Sequence, residues 1–551
     1  MVKSLWEEIL GRATNKPSLL CCSAILFPRS GGDLTSSVPL RPFGKGLVWA
    51  PTGSEASAFD KMTIAEMGIS ERSLMECAGR SAAHVLQELF PRGDVAVVLG
   101  SGNNGGDGLV LARTLQAWGR KTKLFIPGKF PRMSGLDHGW HLQIDETEFS
   151  FGNVSVIVDA ILGTGVKGKP RQKQAEAIRA INHSGCPVFS LDIPSGLDGD
   201  TGRPLGAVVS ADVTVAFGWP KLGSLLKEGR TKSGRLIATE IGFPPASQAN
   251  FSTAIATPHW AMRTRPTRRD DSHKNTVGSL LLVAGQAGMA GAAVLSAKAA
   301  LRGGLGQIRI VSDSSNRGII QSTVPEAIFL ASDYPEQITN AVDKSDAIAI
   351  GPGLGCSAEN GRLLNLICGC PGDIPLVLDA DGLNMATKGM GPTIEEWTSK
   401  REVLLTPHLG EMVRISGVTS HDIDSDRLGV TKSFAEATGA TVLLKGLPSM
   451  VVPPKGTALL DSMGSSDLAA AGMGDLLTGF AGALLAQGLK PACAGALSLY
   501  MVGRAAVNTG LGPSLIPTDI LPKLAEVWQE EGSGETDLDL PFVVFDQDVP
   551  R

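Results

Sequence analysis

"LLLVAGQAGMAGAAVLSAKAAL" (residues 280–301) is apolar almost throughout, and its reading decides the fold. As one helix it would be long enough to cross a bilayer. Gly285, Gly288 and Gly291, with Gln286 among them, argue against that. Glycines and a polar amide interrupt a helix but suit a turn. The stretch therefore divides into a short buried strand, a glycine loop and a helix. A continuous apolar strand is one covered on both faces, the mark of a parallel sheet with crossover helices.

The same design recurs on both sides. "VAVVLG" (95–100) leads through a glycine loop into "LVLARTLQAWG" (109–119), and "VSVIVDAILGTG" (154–165) and "CPVFSLDIPSG" (186–196) repeat it. Further along come "AIAIGPGLG" (347–355), "PLVLDADGLN" (375–384), "VLLTPHLGE" (403–411) and "TVLLKG" (441–446). The fold class expected is α/β, with two layered α/β domains, the first Rossmann-like. No self-similarity joins the halves. Residues 55–244 form the first domain and 266–530 the second. Residues 1–54 read as an irregular extension and 245–265, rich in Pro and Arg, as a linker. Residues 531–551 read as a loosely held tail whose apolar "PFVVF" can dock on a domain. Each glycine loop falls at a strand's carboxyl end, where open α/β sheets bind ligands.

Composition limits the function. The chain has 551 residues, 43% apolar and 19% charged, enough for more than one core. A net charge of −5 with scattered Lys and Arg excludes a sequence-independent nucleic-acid or membrane binder. The eight cysteines form no paired C-x-x-C sets, so a zinc site is not expected and a reducing cytoplasm is. "SLLCCSAILF" (18–27) is too short to span a bilayer and lacks an A-x-A cleavage site.

"AGMGDLLTG" (471–479) places Asp475 where an apolar helix starts. A helix N-terminus favours an anion, and Gly472 and Gly474 let backbone approach a phosphate. Asp475 is then either a cap, worth about 1 kcal/mol, or a general base that takes a proton from a substrate hydroxyl. Lys445 and Gly446 end a strand, so Lys445 is a phosphate cation or a surface lysine. His408, after Pro407, is a ligand contact or a capping histidine. Three such loops at strand ends favour a shared phosphate cleft.

In the first half, "GSGNNGGDG" (100–108) is a phosphate loop or a plain turn. Asn104, Asp159 and Ser195 are all oxygen donors and suit a hard cation. Asp192 before Pro194 is a turn former or an acid/base.

The second half resembles the ribokinase-like superfamily, and within it the ADP- (or ATP-)dependent NAD(P)H-hydrate dehydratases. The motifs that carry this are "HKNTVGSLLLVAGQAGMAGAAVLSAKAALRGGLG" (273–306), "PEAI" (325–328), "GPGLG" (351–355), "DADGLN" (379–384), "LTPHLGEM" (405–412), "LLKG" (443–446) and "AGMGDLLTG". The resemblance implies a ribokinase-like fold with Asp475 as catalytic carboxylate. It puts Ala292, Gly353 and His408 at the hydrated nicotinamide nucleotide. It puts Lys445, Gly446, Leu447, Pro448, Ser449 and Gly474 at the nucleotide, with Mg²⁺ and ADP expected. Gly382 and Met473 stand where the family usually has Ala and often has Ser.

The first half resembles the NAD(P)H-hydrate epimerases through "LMECAGRSAA" (74–83), "GSGNNGGDG", "VDAILGTGVKGKP" (158–170), "LDIPSGLDGDTG" (191–202) and "AFGWPKLGSLLKEGRTKSG" (216–234). That resemblance implies substrate contacts from Asn103, Asn104, Gly105, Gly106, Asp107, Gly163, Thr164, Gly165, Val166, Lys167, Gly168 and Lys169. It implies K⁺ on Asn104, Asp159 and Ser195, and Asp192 as acid/base at C6. Both halves then act on NADHX and NADPHX, one on the epimers and one on the water. A cytoplasmic homo-oligomer is expected, without nucleic acid or membrane partners. The alternative is a ribokinase-like small-molecule kinase fused to a nucleotide-binding module.

Overall fold

A computed structural model describes residues 47–129, 140, 143–145, 149–244, 251–530, 538, 540 and 542–547. The stretch at 280–301 divides as its glycines require. Strand Ser279–Val283 is fully buried, a loop follows, and helix Ala290–Arg302 packs back on the sheet.

The chain builds two mostly parallel sheets. The first runs in the order 543–547, 235–239, 213–217, 188–191, 156–160, 95–99, 122–125, 143–145. All its pairs are parallel except that of the edge strand Val543–Gln547. The strand order reverses between Val95–Leu99 and Val156–Ala160, so a crevice opens at their carboxyl ends. The second sheet has eleven strands, in the order 48–49, 253–255, 458–460, 450–452, 441–444, 403–405, 376–378, 347–350, 279–283, 307–312, 328–331. Its order reverses between Ala347–Ile350 and Ser279–Val283. Helix Met473–Ala486 lies over these two strands and carries Asp475.

The stretch expected to be a linker contributes strand Thr253–Ile255 and helix Pro258–Thr264. Val48–Trp49, within the expected extension, pairs with that strand in the second sheet. From the expected tail, Val543–Gln547 pairs antiparallel with Arg235–Thr239 of the first sheet. Each sheet thus takes an edge strand from outside the range expected for its half. Phe59, Trp219, Phe243 and Phe251 pack ring to ring where the halves meet, Trp219 stacking on Phe243 at 5.2 Å. "SLLCCSAILF" lies outside the described residues. Among those described, no helix is long and apolar enough to cross a membrane.

Candidate active sites

The first site is a cleft of about 500 Å³ at the crevice of the first sheet. Helix Asn103–Ala117 starts at its floor, with Gly102 as cap and no side chain on the free amides. Gly105 is required by space, since a methyl there would lie 1.8 Å from the Gly100 carbonyl. Asn104 is buried. Its amide nitrogen donates to the carbonyls of Leu162 (3.0 Å) and Leu191 (3.1 Å), which leaves Oδ1 buried with no partner. An orphaned buried acceptor is costly unless something occupies it.

Asp159 is fully buried nearby. It accepts from Ser190 Oγ (2.9 Å), Ser195 N (2.9 Å) and Ser195 Oγ (2.5 Å). Burial raises its pKa, and these hydrogen bonds oppose the rise. Ser195 Oγ and Asn104 Nδ2 both donate to the Leu162 carbonyl, which links Asn104 to the Asp159–Ser195 pair.

Asp192 follows strand Val188–Leu191 in a left-handed conformation, φ 65°, unusual for a non-glycine residue. Its Oδ1 accepts from Lys221 Nζ at 2.6 Å and its Oδ2 from Thr164 Oγ1 at 3.3 Å. Lys221 is 3% exposed and also donates to the Phe217 carbonyl. Asp107 is buried, and its carboxyl is pushed well up by desolvation, then by Asp192 and Asp60. Asn103, Gly163, Thr164, Gly165, Val166, Lys167 and Lys169 also line the cleft. Gly106 packs behind it on Met75, and Gly168 takes φ 87° in the lysine loop.

The second site gathers at the carboxyl ends of the second sheet. Gly472, at φ 91°, caps helix Met473–Ala486 without any side-chain hydrogen bond, so Asp475 in the first turn is not its cap. The Asp475 carboxyl is pushed up to about 6 by burial, with Asp379 adding to the rise and Lys445 opposing it. Asp379 is 2% exposed and accepts from Lys445 Nζ (2.7 Å) and Thr478 Oγ1 (2.8 Å). A methyl on Gly474 would sit 3.4 Å from Lys445 Nζ, so the bare backbone faces that cation.

The Lys445–Ser449 turn is tied by Ser449 Oγ to both Gly446 N and Gly446 O, and Leu447 is exposed beside a cis Pro448. Gly353 (φ 56°) approaches Ala292, where a methyl would meet Ala292 Cβ at 2.9 Å, so those two loops touch. His408 caps helix Leu409–Ser416. Its Nδ1 accepts from Gly410 N and Glu411 N, which leaves the exposed Nε2 edge 3.4 Å from Glu411.

Comparison with known proteins follows the same division. The family model for NAD(P)H-hydrate dehydratase matches residues 280–524, and that for the YjeF-related protein N-terminus matches 71–223. A Salinibacter ruber protein named bifunctional NAD(P)H-hydrate repair enzyme Nnr is 33% identical over 526 residues, 87% of this chain and 96% of its own. The chain belongs to the bifunctional NAD(P)H-hydrate repair enzymes. An Escherichia coli member of the same name is 32% identical over 78% of this chain and 84% of its own. Among solved structures, the Bacillus subtilis ADP/ATP-dependent NAD(P)H-hydrate dehydratase, co-crystallised with ATP and Mg²⁺, is 30% identical over 50% of this chain and 96% of its own, with a TM-score of 0.45.

Sequence reading passes over Lys221, Asp379 and Thr478 as site residues. Asp379 lies inside the quoted "DADGLN" and Lys221 inside "AFGWPKLGSLLKEG". Their partners stand on other strand ends, 66 residues away for Asp379–Lys445 and 29 for Lys221–Asp192. The one local signal is a charged residue within an apolar strand-end motif.

Proposed function

We propose that the chain repairs hydrated nicotinamide cofactors on two separate sites. The cleft around Asp192 interconverts (R)- and (S)-NAD(P)HX at C6. The site around Asp475 removes water from the (S) form at the expense of ADP or ATP, ADP being the expected donor. The observation that carries this reading is a half-buried carboxylate at a helix N-terminus whose cap, Gly472, has no side chain, with a lysine and a glycine turn beside it.

In this reading Asp475 takes the proton of the C6 hydroxyl as its oxygen attacks the terminal phosphoryl group of the nucleotide. The oxygen–phosphorus bond forms and the bond to the leaving nucleotide breaks. The ring-nitrogen electron pair then expels phosphate, and loss of a ring proton restores the alkene. Lys445, Gly446–Ser449 and the Gly474 amide hold phosphate oxygens, while Asp379 steers Lys445. Asp379 has the hard carboxylate oxygens that Mg²⁺ would take, and the ion would neutralise phosphate charge, which leaves Asp475 free to act as the base. Ala292, Gly353 and His408 bound the substrate side.

At the first site Asp192, oriented by Lys221 and Thr164, moves the proton at C6. Asn103–Asp107 and Gly163–Lys169 bind the substrate's phosphates. Asn104, Asp159 and Ser195 would hold K⁺, whose charge would offset the buried Asp159; the orphaned Asn104 Oδ1 supports this. A cytoplasmic homo-oligomer completes the proposal.

The test supplies mixed NADHX epimers with ADP or ATP and follows the absorbance of restored NADH. Wild-type chain should convert both epimers. Asp475→Ala should stop dehydration and spare epimerisation, and Asp192→Asn should do the reverse. A phosphate ester that accumulates without NADH would mark a kinase instead.

A further inference from the structure

Helix Lys227–Ser233 belongs to the first half and runs into strand Arg235–Thr239, yet two of its cations, Lys227 and Arg230, reach into the second. Lys227 Nζ lies 3.1 Å from Asp424. Arg230 is 4% exposed, and its Nη2 donates to the Gly464 carbonyl at 2.7 Å. A guanidinium buried at a junction is costly unless hydrogen bonds tie it to its surroundings.

What it holds is the loop between strand Ala458–Leu460 and the helix that carries Asp475. Asp461 in that loop accepts from Met463 N at 2.9 Å, and its own amide donates to the Ser449 carbonyl at 3.0 Å. A methyl on Gly464 would lie 3.7 Å from Leu447 Cδ1. The loop therefore abuts both Leu447 and Ser449. A second grip comes from the carboxyl-terminal strand. Its Gln547 donates to the Ser462 carbonyl, while Asp546 pairs with Arg235 through two bonds of 2.7 and 2.8 Å. On the other flank, Arg427 donates to the Lys445 carbonyl at 2.8 Å, three residues after the Asp424 that Lys227 engages.

We propose that Arg230 is a positioning residue for dehydration. By clamping Gly464 from the first half, it sets the Lys445–Ser449 turn that receives the nucleotide, so the epimerase half completes the dehydratase's nucleotide site. This rests on reading Lys445–Ser449 as the nucleotide turn.

The test uses the full chain and compares Arg230→Met, Arg230→Lys, Gln547→Ala and Lys445→Met. Initial rates of NADH formation from (S)-NADHX are measured across ADP concentrations, beside epimerisation rates. Arg230→Met should raise the KM for ADP about tenfold with a smaller change in kcat. Epimerisation should be unaltered, which also shows that the variant folds, and Arg230→Lys should restore part of the affinity. If Arg230→Met loses epimerisation as well, Gln547→Ala decides, with a rise of about threefold expected. An unchanged KM in Arg230→Met, or in Gln547→Ala where it decides, overturns the proposal alone when Lys445→Met raises KM. An unchanged KM in Lys445→Met overturns the reading of the turn, and the proposal with it.

Discussion

As the proposed base, Asp475 would have to be ionised to accept a proton, and burial pushes its carboxyl up to about 6 against an ordinary 3.8. The dehydration rate should therefore fall about tenfold per pH unit below 6 and level off above 7. A rate profile with ADP saturating checks this, and Lys445→Met, which removes the opposing cation, should move the acid limb to higher pH. The same shift bears on stability. The folded chain binds this proton more tightly than the unfolded one, so the carboxyl favours folding below about pH 4 and loses that contribution as pH rises to about 6. Asp475→Asn should add roughly 1–2 kcal/mol of stability at pH 8, seen as a higher melting temperature, and none at pH 4. Melting curves at the two pH values decide it, and dehydration should drop by about 10³-fold in the same variant. At the other site, Lys221→Met leaves Asp192 without its closest partner. It should slow R/S interconversion about 10²-fold and leave dehydration of the (S) form intact. Asp475 and Asp192 are legible as candidates because each stands in a local glycine or proline turn. Lys221 and Asp379 are not, because a charge inside an apolar motif does not show what it will face.

Helix Met473–Ala486 shows how one element makes a site. Its apolar side chains bury it over the strands, and Gly472 starts it in a conformation that disfavours a side chain. A methyl there would also lie 2.9 Å from Leu295. Gly472→Ala should lower stability by about 1–2 kcal/mol and weaken dehydration more than epimerisation, which calorimetry and the two assays measure. The helix and its glycine turn are legible, because periodicity and glycine placement are local signals. Short pieces are less so. Strand Thr253–Ile255 spans three residues inside a Pro- and Arg-rich stretch. It becomes a strand only because Ala458–Leu460 offers it an edge. His408 shows the same limit in a single residue, since its capping bonds depend on where the next helix turns.

At the scale of the whole molecule the two halves are laced together. The first sheet takes its edge strand from the end of the chain, the second takes Val48–Trp49 from before the first half, and the aromatic cluster fills the seam. Ending the chain at residue 541 removes Val543–Gln547 and the Arg235–Asp546 pair. It should lower the melting temperature, and it should raise the KM for ADP as Gln547→Ala does. Scanning calorimetry beside the dehydration assay tests both.

The amino-acid sequence by itself determined that this is an α/β chain with glycine loops at strand ends, and it placed Lys445, Asn104 and Asp192 on those loops and Asp475 at the start of an apolar helix. Such features depend on neighbours within about ten residues, where spacing and turn chemistry act directly. Only the tertiary structure decided that Lys221 meets Asp192, that Asp379 lies between Lys445 and Thr478, and that Arg230 reaches Gly464. Those contacts join positions 29 to 234 residues apart. They form because packed sheets bring distant strand ends together, and no local pattern encodes that.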